Sequence, residues 1–355
     1  MTILLIVLGL ILLVAGAEAV VRGASGMARA AGVSPLVIGL TLVAYGTSTP
    51  ELAVSMKASM AGHSDIALGN VVGSNIFNVL FILGVSSLLT PLAVSRRLVR
   101  SDVPVMIGAS ILLWILSADG RINRLEGLGL SAGIIAYTAF VMARTSREKA
   151  GSEMSTSATQ SMATRRTLVW SVSALVVGFV LLAVGARWLV EGATSLARMW
   201  GVDEFFIGLT IVGVGTSLPE VATSVVASLR NERDIAVANV IGSNIFNVMG
   251  VLGASAVRSG HIGVAPAALH FDIPIMTAVA IACLPIFFTG ARISPWEGVL
   301  FIVYYAAYVA YLILKPLQHE SLPVFSAVVL WFFLPVTALG IGLSVWYAMR
   351  GRRTP

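Results

Sequence analysis

Apolar residues along the chain gather into long blocks separated by short polar stretches. A helix that crosses the hydrocarbon core of a bilayer needs about 20 mostly apolar residues, and each block approaches that length. No block alternates apolar and polar positions as a membrane β-barrel would. The pattern therefore predicts an all-α polytopic membrane protein with eleven spanning segments, at roughly 3–21, 35–61, 66–90, 102–118, 125–143, 168–190, 205–229, 235–257, 271–289, 296–314 and 323–348.

One polar stretch is longer than the others and predicts the division of the chain. It is rich in Ser and Thr and basic at both ends, which is typical of a linker. We expect a first five-helix repeat at 1–143, a cytoplasmic linker at 144–167 and a second five-helix repeat at 168–314. An extra C-terminal transmembrane helix and a basic tail follow at 315–355. The apolar N-terminus has no basic stretch before it, so we expect a first helix and not a cleaved signal peptide.

Composition and charge exclude a soluble protein. Of 355 residues, 57% are hydrophobic and only 11% are charged, and the mean hydropathy is +0.92. The net charge of +6 is explained by the positive-inside bias, so no nucleic-acid partner is expected. With the N-terminus outside, 16 of the 23 Lys and Arg residues fall in cytoplasmic loops. This predicts an N-out, C-in protein of the cell (inner) membrane, and the single cysteine, Cys283, excludes an internal disulfide.

The chain also contains an internal repeat with an offset of 169 residues. Residues 39–84 and 208–253 align without a gap, and about 27 of 46 positions are identical. Weaker matches on both sides extend the repeat over the first five predicted helices. Because five is odd, the second copy enters the membrane from the opposite face. The sequence thus predicts a ten-helix core of two inverted-topology repeats, which in secondary transporters places the substrate site at the midplane between them.

The repeated block interrupts predicted helices 2 and 7 with the motifs GTSTPE and GTSLPE. Pro50 and Pro219 lack an N–H and clash with the carbonyl four residues earlier. We expect these prolines, with Gly46 and Gly215, to break the two helices and free backbone carbonyls. A free carbonyl in hydrocarbon costs several kcal/mol unless something binds it, and a cation can do so.

Glu51 and Glu220 end these motifs, and a carboxylate at this depth is a functional-site candidate. No Lys or Arg lies within a turn on the same face, so a metal ion is the natural counter-charge. Hydroxyl and amide side chains at helical spacing in predicted helices 2, 3, 7 and 8 complete a set of oxygen donors. They are Thr47, Ser48, Thr216, Ser217, Ser74, Ser243, Asn78 and Asn247. Ca²⁺ and Na⁺ prefer such donors, whereas zinc, copper and iron favour nitrogen or sulfur.

The blocks GTSTPE…DIALGNVVGSNIFN and GTSLPE…DIAVANVIGSNIFN resemble the two α-repeats of the prokaryotic sodium/calcium exchanger branch of the calcium/cation antiporter superfamily. The resemblance implies a non-enzymatic secondary antiporter that exchanges Ca²⁺ for Na⁺ by alternating access, with helices 1 and 6 moving against the core. It implies that Glu51 and Glu220 serve both ions as central ligands and that the hydroxyls above line flanking Na⁺ sites. The backbone carbonyls of Ala44 and Gly213 would complete the coordination. We expect no cofactor, inorganic cations and the lipid bilayer as partners, and function as a monomer.

The middle positions of predicted helices 3 and 8 depart from the family pattern. Many sodium/calcium exchangers have aspartate at one of them, whereas this chain has Asn78 and Asn247. Two carboxylates balance one Ca²⁺ or two Na⁺, and a third Na⁺ is less well compensated in a low dielectric. We therefore hypothesise a lower Na⁺ stoichiometry, electroneutral exchange or an altered ion choice. A proton-coupled exchanger of Ca²⁺ or another divalent cation is the alternative function, and a cation channel is a further one.

Several of these polar residues also have a purely structural interpretation. Membrane hydroxyls often bond the carbonyl four residues earlier, and asparagines can hold helices together. Four aspartates near predicted helix starts are expected to be N-caps, and two Glu/Arg pairs at i,i+4 spacing are expected to be salt bridges. These are Asp65, Asp234, Asp102 and Asp272, and the pairs Glu18–Arg22 and Arg187–Glu191.

Overall fold

The computed structural model describes residues 1–150, 161–288, 291–335, 337–340 and 342, which are almost wholly helical. The first half contains α1 Thr2–Ala31, α2 Pro35–Thr47, α3 Thr49–Met60, α4 Ser64–Leu89, α5 Leu98–Asp119 and α6 Arg124–Ala150. The second half contains α7 Ser161–Met199, α8 204–215, α9 Leu218–Leu229, α10 Arg233–Ser259, α11 Ala268–Phe287 and α12 Pro295–Leu314. A final helix, α13, runs Leu322–Trp331.

The helices confirm the all-α membrane class. Within the described residues, eight helices are long and apolar enough to cross a membrane, and the bent pair α2–α3 makes a ninth. The predicted segment 205–229 is divided into α8 and the short apolar α9, as 35–61 is divided into α2 and α3. The predicted segment 323–348 begins in α13, and most of its last residues, from 343 on, lie outside the described part of the chain.

The helices reach further into the predicted linker than its composition indicated. Helix α6 continues to Ala150 and α7 already begins at Ser161, so the polar ends of the stretch 144–167 are helical. Its middle, 151–160, lies outside the described residues. Ser and Thr permit helix when flanking helices extend into them, which is why composition placed the boundaries too early. The division into two repeats and a tail stays a prediction.

Two small antiparallel ribbons join the halves reciprocally. Strand β1 Leu92–Ala93 pairs with β4 Arg292–Ile293, and β2 Arg121–Asn123 pairs with β3 His261–Gly263. In each ribbon, the segment after the fourth helix of one half meets the segment before the last helix of the other. Reciprocal pairing of this kind is what a two-fold axis between the halves produces. That the axis lies in the membrane plane, and that the N-terminus is outside, stay predictions.

Helices α4 and α10 form the centre of the bundle. Of the most apolar stretch of each, 72% and 89% of residues are buried, against at most 39% in the other spans. Both helices contain a π-helical turn, which begins at Asn78 in α4 and at Asn247 in α10. Such turns are frequent at functional sites, because the extra residue re-aims the side chains that follow. The centre of the fold is therefore also where the sequence placed its polar motifs.

Helices α1 and α7 pack against each other through glycines that recur every seven residues. A Cβ on Gly16 would lie 2.8 Å from the backbone nitrogen of Leu182 and 2.9 Å from the carbonyl oxygen of Gly178. Reciprocally, a Cβ on Gly185 would lie 2.8 Å from the carbonyl oxygen of Gly9. Small residues allow membrane helices to approach this closely, and van der Waals contact then holds them together.

Two of the four predicted N-caps are displaced by two residues. Helix α4 has His63 at its N-cap, and α10 has Glu232 there. Asp65 and Asp234 therefore lie in the first turn and not at the cap, so this prediction was wrong. An acidic residue in the first turn still stabilises a helix through the helix dipole, which explains the type of residue found there.

Asp102 stands at the N-cap position before Val103–Leu116, but its side chain makes no cap hydrogen bond there. Both Asp102 and Asp272 instead bind a tyrosine of a neighbouring helix. Tyr137 of α6 donates to Asp102 at 3.0 Å, and Tyr308 of α12 donates to Asp272 at 2.9 Å. Asp102 also accepts from the neighbouring Ser101 Oγ at 2.9 Å. The tyrosine–aspartate pairs fix α5 to α6 and α11 to α12.

The predicted salt bridges are confirmed and extended. Arg22 bonds Glu18 within α1, and Arg187 bonds Glu191 at 2.7 Å within α7. Glu18 also accepts from Arg230, which follows α9. All these groups are partly or largely exposed, so we expect each pair to contribute under about 1 kcal/mol.

We predict that Gly16→Ala destabilises the protein although alanine is the better helix former. The new Cβ has to push the backbone of α7 away, and overpacking of this kind costs about 1–3 kcal/mol. The matched control is Gly129→Ala in α6, where a Cβ meets nothing within 4 Å and the helix gains about 0.5–1 kcal/mol. Thermal unfolding of both variants in the same detergent should show a lower midpoint for the first and an unchanged or higher one for the second. Equal midpoints would contradict the close packing of α1 and α7.

Candidate cation site

The predicted helix break is present in both halves, but it is built differently from what was expected. Helix α2 ends at Thr47, α3 begins at Thr49, and the two are bent by 43°. Pro50 and Pro219 lie in the first turns of α3 and α9 and not inside a continuous helix. A proline costs nothing there, because the N–H it lacks has no partner in a first turn. The prolines therefore start a new helix, and the ψ of 8° at Ser48 makes the turn between the two.

The neighbouring glycines make room for α7. A side chain on Gly46 would overlap the ring of Phe179, and one on Gly215 would come within 2.6 Å of Val190 Cγ2. Both Phe179 and Val190 belong to α7. If the two halves were related by exact two-fold symmetry, α7 would contact one glycine and α1 would contact the other. Because α7 contacts both, the α1–α7 pair is displaced from its symmetric position.

The two glutamates are fully buried and each is bound by the other half. Ser217 donates to Glu51 Oε1 at 2.9 Å, and Ser48 donates to Glu220 Oε1 at 2.8 Å. Each serine precedes the glutamate of its own half by three residues. The two broken helices therefore meet through a reciprocal pair of hydroxyl–carboxylate bonds, and this brings both carboxylates to one place.

The second oxygen of each carboxylate lacks a protein partner. Glu51 Oε2 and Glu220 Oε2 are buried and accept no hydrogen bond within the described structure. In that same part of the chain, no Lys, Arg or His forms an ion pair with either glutamate. A buried carboxylate without a counter-charge is strongly unfavourable. The geometry therefore leaves two negative groups for a cation to neutralise.

Helix α4 adds an amide oxygen to the same region, and α10 supplies its counterpart. Ser74 and Asn78 lie one turn apart on α4, and Ser74 Oγ is 3.0 Å from Ser217 Oγ. This contact turns their shared face toward Glu51. Asn78 Oδ1 is buried without a hydrogen-bond partner in the described structure, and the same holds for Asn247 Oδ1. Glutamates and asparagines together thus present four oxygens that no group of the described chain uses.

The backbone carbonyl predicted as a ligand in the first half already has partners. Ala44 O accepts from the backbone N–H of Ser48 at 3.1 Å and from Ser243 Oγ at 3.3 Å. In the second half, Ser217 N bonds Val214 O and not the carbonyl of Gly213. The carbonyl of Ala44 thus accepts hydrogen bonds, whereas the carbonyl of Gly213 does not receive the equivalent bond from Ser217. The role of both carbonyls in coordination stays a prediction.

Two further asparagines, which the sequence reasoning missed, bind the predicted threonines. Thr47 Oγ1 lies 3.1 Å from Asn239 Oδ1, and Thr216 Oγ1 donates to Asn70 Oδ1 at 3.1 Å. The Thr47 hydroxyl also lies 3.0 Å from Val43 O, which is the structural alternative for a membrane hydroxyl. The threonines therefore border the carboxylates and contribute to the contact between halves.

Asn75 and Asn244 were missed as well. Both are buried and bind the two predicted asparagine ligands across the halves. The signal was present in the sequence, because each lies three residues before a predicted ligand in a repeated GSNIFN motif. Helical spacing of three places the two amides on neighbouring parts of one face.

The two halves of the site are not equally enclosed. Val43 is fully buried, whereas its counterpart Val212 is 49% exposed. Ala44 is buried and its counterpart Gly213 is exposed. At these two positions α2 is covered by protein and α8 is not.

The donor set as a whole is made of hard oxygens. Among the described residues, no three His, Cys, Asp or Glu side chains are grouped so that they could hold a metal ion, so donors beyond the two carboxylates are neutral hydroxyls and amides. Ca²⁺ binds about 6–8 oxygens in a flexible geometry, whereas Mg²⁺ demands a tight octahedron and keeps its waters. The arrangement is suited to one dehydrated divalent cation or to monovalent cations of similar size.

Residues 1–143 and 170–314 match the sodium/calcium exchanger protein family. The chain therefore belongs to that family, and it is a multi-pass cation antiporter of the cell membrane. The matched residues lie within the two predicted repeats and end before α13.

Similar proteins agree with this membership. The chain is 33% identical over 314 residues to the sodium/calcium exchanger MaX1 of Methanosarcina acetivorans, covering 79% of this chain and 89% of that one. It is 35% identical over 253 residues to inner membrane protein YrbG of Escherichia coli, covering 70% and 77%. The sodium-calcium exchanger NCX_Mj, in a structure obtained with Na⁺ and Ca²⁺, superposes with a TM-score of 0.75 at 30% identity and covers 87% of this chain and 97% of that one.

We predict that Glu51→Gln raises the unfolding midpoint of the protein in buffer free of Ca²⁺ and Na⁺. Glutamine keeps the acceptor for Ser217 and removes one of two uncompensated charges, and replacing buried charges by neutral groups often stabilises by about 1–4 kcal/mol. Unsubstituted protein should gain stability on adding Ca²⁺, by about 2.7 kcal/mol at a hundred times the Kd, and the variant should gain much less.

The matched control is Glu297→Gln in α12. This glutamate is also buried, but its carboxylate accepts from Ser294 N at 2.7 Å in a capping box. Here the charge strengthens a hydrogen bond, so the substitution should lower the midpoint. A lower midpoint for Glu51→Gln as well would contradict the view that Glu51 lacks a counter-charge.

Proposed function

We propose that the protein exchanges Ca²⁺ for Na⁺ across the cell membrane, with Glu51 and Glu220 as the central ligands of both ions. The observation that carries this proposal is the pair of buried carboxylates, each with one oxygen bound by the opposite half and one unpartnered in the described structure. The names of MaX1 and NCX_Mj as sodium/calcium exchangers support the same ions.

The charge of the site favours Ca²⁺ as the divalent substrate. Two carboxylates neutralise one Ca²⁺, while the amide oxygens of Asn78 and Asn247 add coordination without adding charge. The serine and threonine hydroxyls at the border of the site provide further oxygens for Na⁺. Because the same carboxylates serve both ions, Ca²⁺ and a full set of Na⁺ exclude each other, and such competition produces exchange and not co-transport.

Unequal enclosure of the two halves supports alternating access. Val43 and Ala44 of α2 are buried and their counterparts in α8 are exposed, while α7 lies over both helix breaks. If the two halves exchanged their conformations, the α8 side would be closed and the α2 side open. We propose that α1 and α7 shift together between these arrangements. With the predicted N-out orientation, the open side of the present structure faces the outside. The proposed transport unit is a monomer.

We predict that proteoliposomes loaded with Na⁺ take up radiolabelled Ca²⁺ when diluted into Na⁺-free buffer. Glu51→Gln should reduce this uptake by at least ten-fold, because a neutral ligand no longer balances Ca²⁺ in the low dielectric. Glu297→Gln, whose carboxylate is engaged in the capping box of α12, should retain uptake once corrected for the amount of folded protein.

The same vesicles distinguish the alternatives. If a pH gradient without Na⁺ drives Ca²⁺ uptake, the coupled ion is H⁺ and not Na⁺. Single-channel currents through planar bilayers would contradict an antiporter altogether. Uptake unchanged by Glu51→Gln would leave exchange standing and contradict the assigned ligand.

We further predict that Asn247→Asp increases the cooperativity of transport with respect to Na⁺. A third carboxylate in the site compensates one more monovalent charge. The readout is the Hill coefficient for Na⁺, together with the membrane current that accompanies Ca²⁺ uptake.

The matched control for this substitution is Asn231→Asp, which adds the same charge in an exposed turn. It should change neither the Hill coefficient nor the current. Three Na⁺ exchanged per Ca²⁺ by the unsubstituted protein would contradict the idea that two asparagines lower the stoichiometry.

A further inference from the structure

Four buried side-chain amides, two of them the proposed ligands, connect α4 and α10. They form a closed set that we call the amide lock, made of Asn75, Asn78, Asn244 and Asn247. Asn75 Nδ2 donates to the backbone carbonyl of Asn244 at 3.2 Å, and Asn244 Nδ2 donates to that of Asn75 at 3.2 Å. Asn247 Nδ2 then donates to Asn75 Oδ1 at 3.1 Å, and Asn78 Nδ2 donates to Asn244 Oδ1 at 3.0 Å.

The backbone carbonyls fix the direction of every amide in the lock. A carbonyl can only accept, so Asn75 has to face Asn244 with its Nδ2. Its Oδ1 consequently points the other way and requires a donor, which is Nδ2 of Asn247. That leaves Oδ1 of Asn247 on the remaining side, where no group of the described chain binds it. The same argument applies in the other direction. Asn244 donates to the carbonyl of Asn75, its Oδ1 accepts from Asn78 Nδ2, and Asn78 Oδ1 is left without a partner in the described chain.

We propose that Asn75 and Asn244 are positioning residues that make the two ligand amides present oxygen, and not N–H, to the cation. This inference rests on the proposed function and concerns the same site. An isolated amide can turn over and expose its NH₂ group, which repels a cation. The lock prevents this turn, because a reversed Asn247 would set its oxygen against Asn75 Oδ1.

The lock also acts across the two halves. Asn75 of the first half orients the ligand of the second, and Asn244 orients the ligand of the first. Neither half therefore forms its own ligand geometry alone. An aspartate at position 247 has two equivalent acceptor oxygens and needs no orientation, but it places one of them against Asn75 Oδ1. The benefit of Asn75 thus depends on an asparagine at position 247.

A double-mutant cycle tests this dependence. In the unsubstituted protein, Asn75→Leu should raise the Ca²⁺ concentration for half-maximal uptake by about ten-fold, which corresponds to a lost hydrogen bond and a freed amide. In the Asn247→Asp background, the same substitution should change it by less than about two-fold or lower it, because an unfavourable oxygen–oxygen contact is removed. The symmetric cycle of Asn244→Leu with Asn78→Asp should behave alike.

The control is Ser86→Ala, which removes another buried polar group of α4 outside the lock. It should leave the half-maximal concentration unchanged in both backgrounds, and all variants are compared at equal amounts of monodisperse protein. A loss of the same size for Asn75→Leu in both backgrounds would identify a purely structural role and overturn the inference. No loss in either background would overturn it too. Absence of Ca²⁺ uptake by the unsubstituted protein would instead contradict the proposed function, and this inference with it.

Discussion

Two carboxylates from different halves of the chain lie buried together with no cationic side chain beside them in the described structure. Glu51 and Glu220 each have one oxygen held by a serine of the other half and one left without a protein partner there. Such a pair is tolerable in a membrane only if a cation or a proton neutralises it. The broken helices, the reciprocal serines and the amides of α4 and α10 all serve to hold this unfavourable arrangement in place.

Duplication makes this arrangement economical in sequence. Because the halves are related by an offset of 169 residues, several contacts of the site made once are made again with the partners exchanged. Ser48 binds Glu220 as Ser217 binds Glu51, and Thr47 faces Asn239 as Thr216 faces Asn70. A cation at the axis between the halves therefore receives ligands from both sides. A site within one half would have a single carboxylate and could not neutralise Ca²⁺.

The sequence predicted the membrane class, the family and the two glutamates that meet at the centre, because a carboxylate inside an apolar helix is costly and marks a functional site. It did not predict how the backbone turns at the prolines. Pro50 looks like a kink within a helix, whereas it starts a new one, and only the ψ of Ser48 separates the two cases.

The hydrogen-bond partners of polar side chains could not be predicted from the sequence either. Asp102 has the position of a cap and is bound by Tyr137 of another helix. Asn75 is as prominent in the motif as Asn78, but its role depends on which carbonyl of the opposite half lies beside it. Side-chain type and helical spacing reveal that a face is polar, but the direction of each bond depends on contacts between helices far apart in sequence.

The two halves touch through two kinds of interface with different mechanical consequences. Between α4 and α10, amides bind in fixed directions, and a displacement of about one or two ångströms would break several hydrogen bonds at once. Between α1 and α7, glycines bring the backbones together, and dispersion contact has little directional preference. The first interface is therefore suited to keeping the ligand geometry constant while ions exchange. The interface between α1 and α7 holds these two helices together as a pair. Because α7 contacts both helix breaks, this pair is the part of the fold that departs from two-fold symmetry.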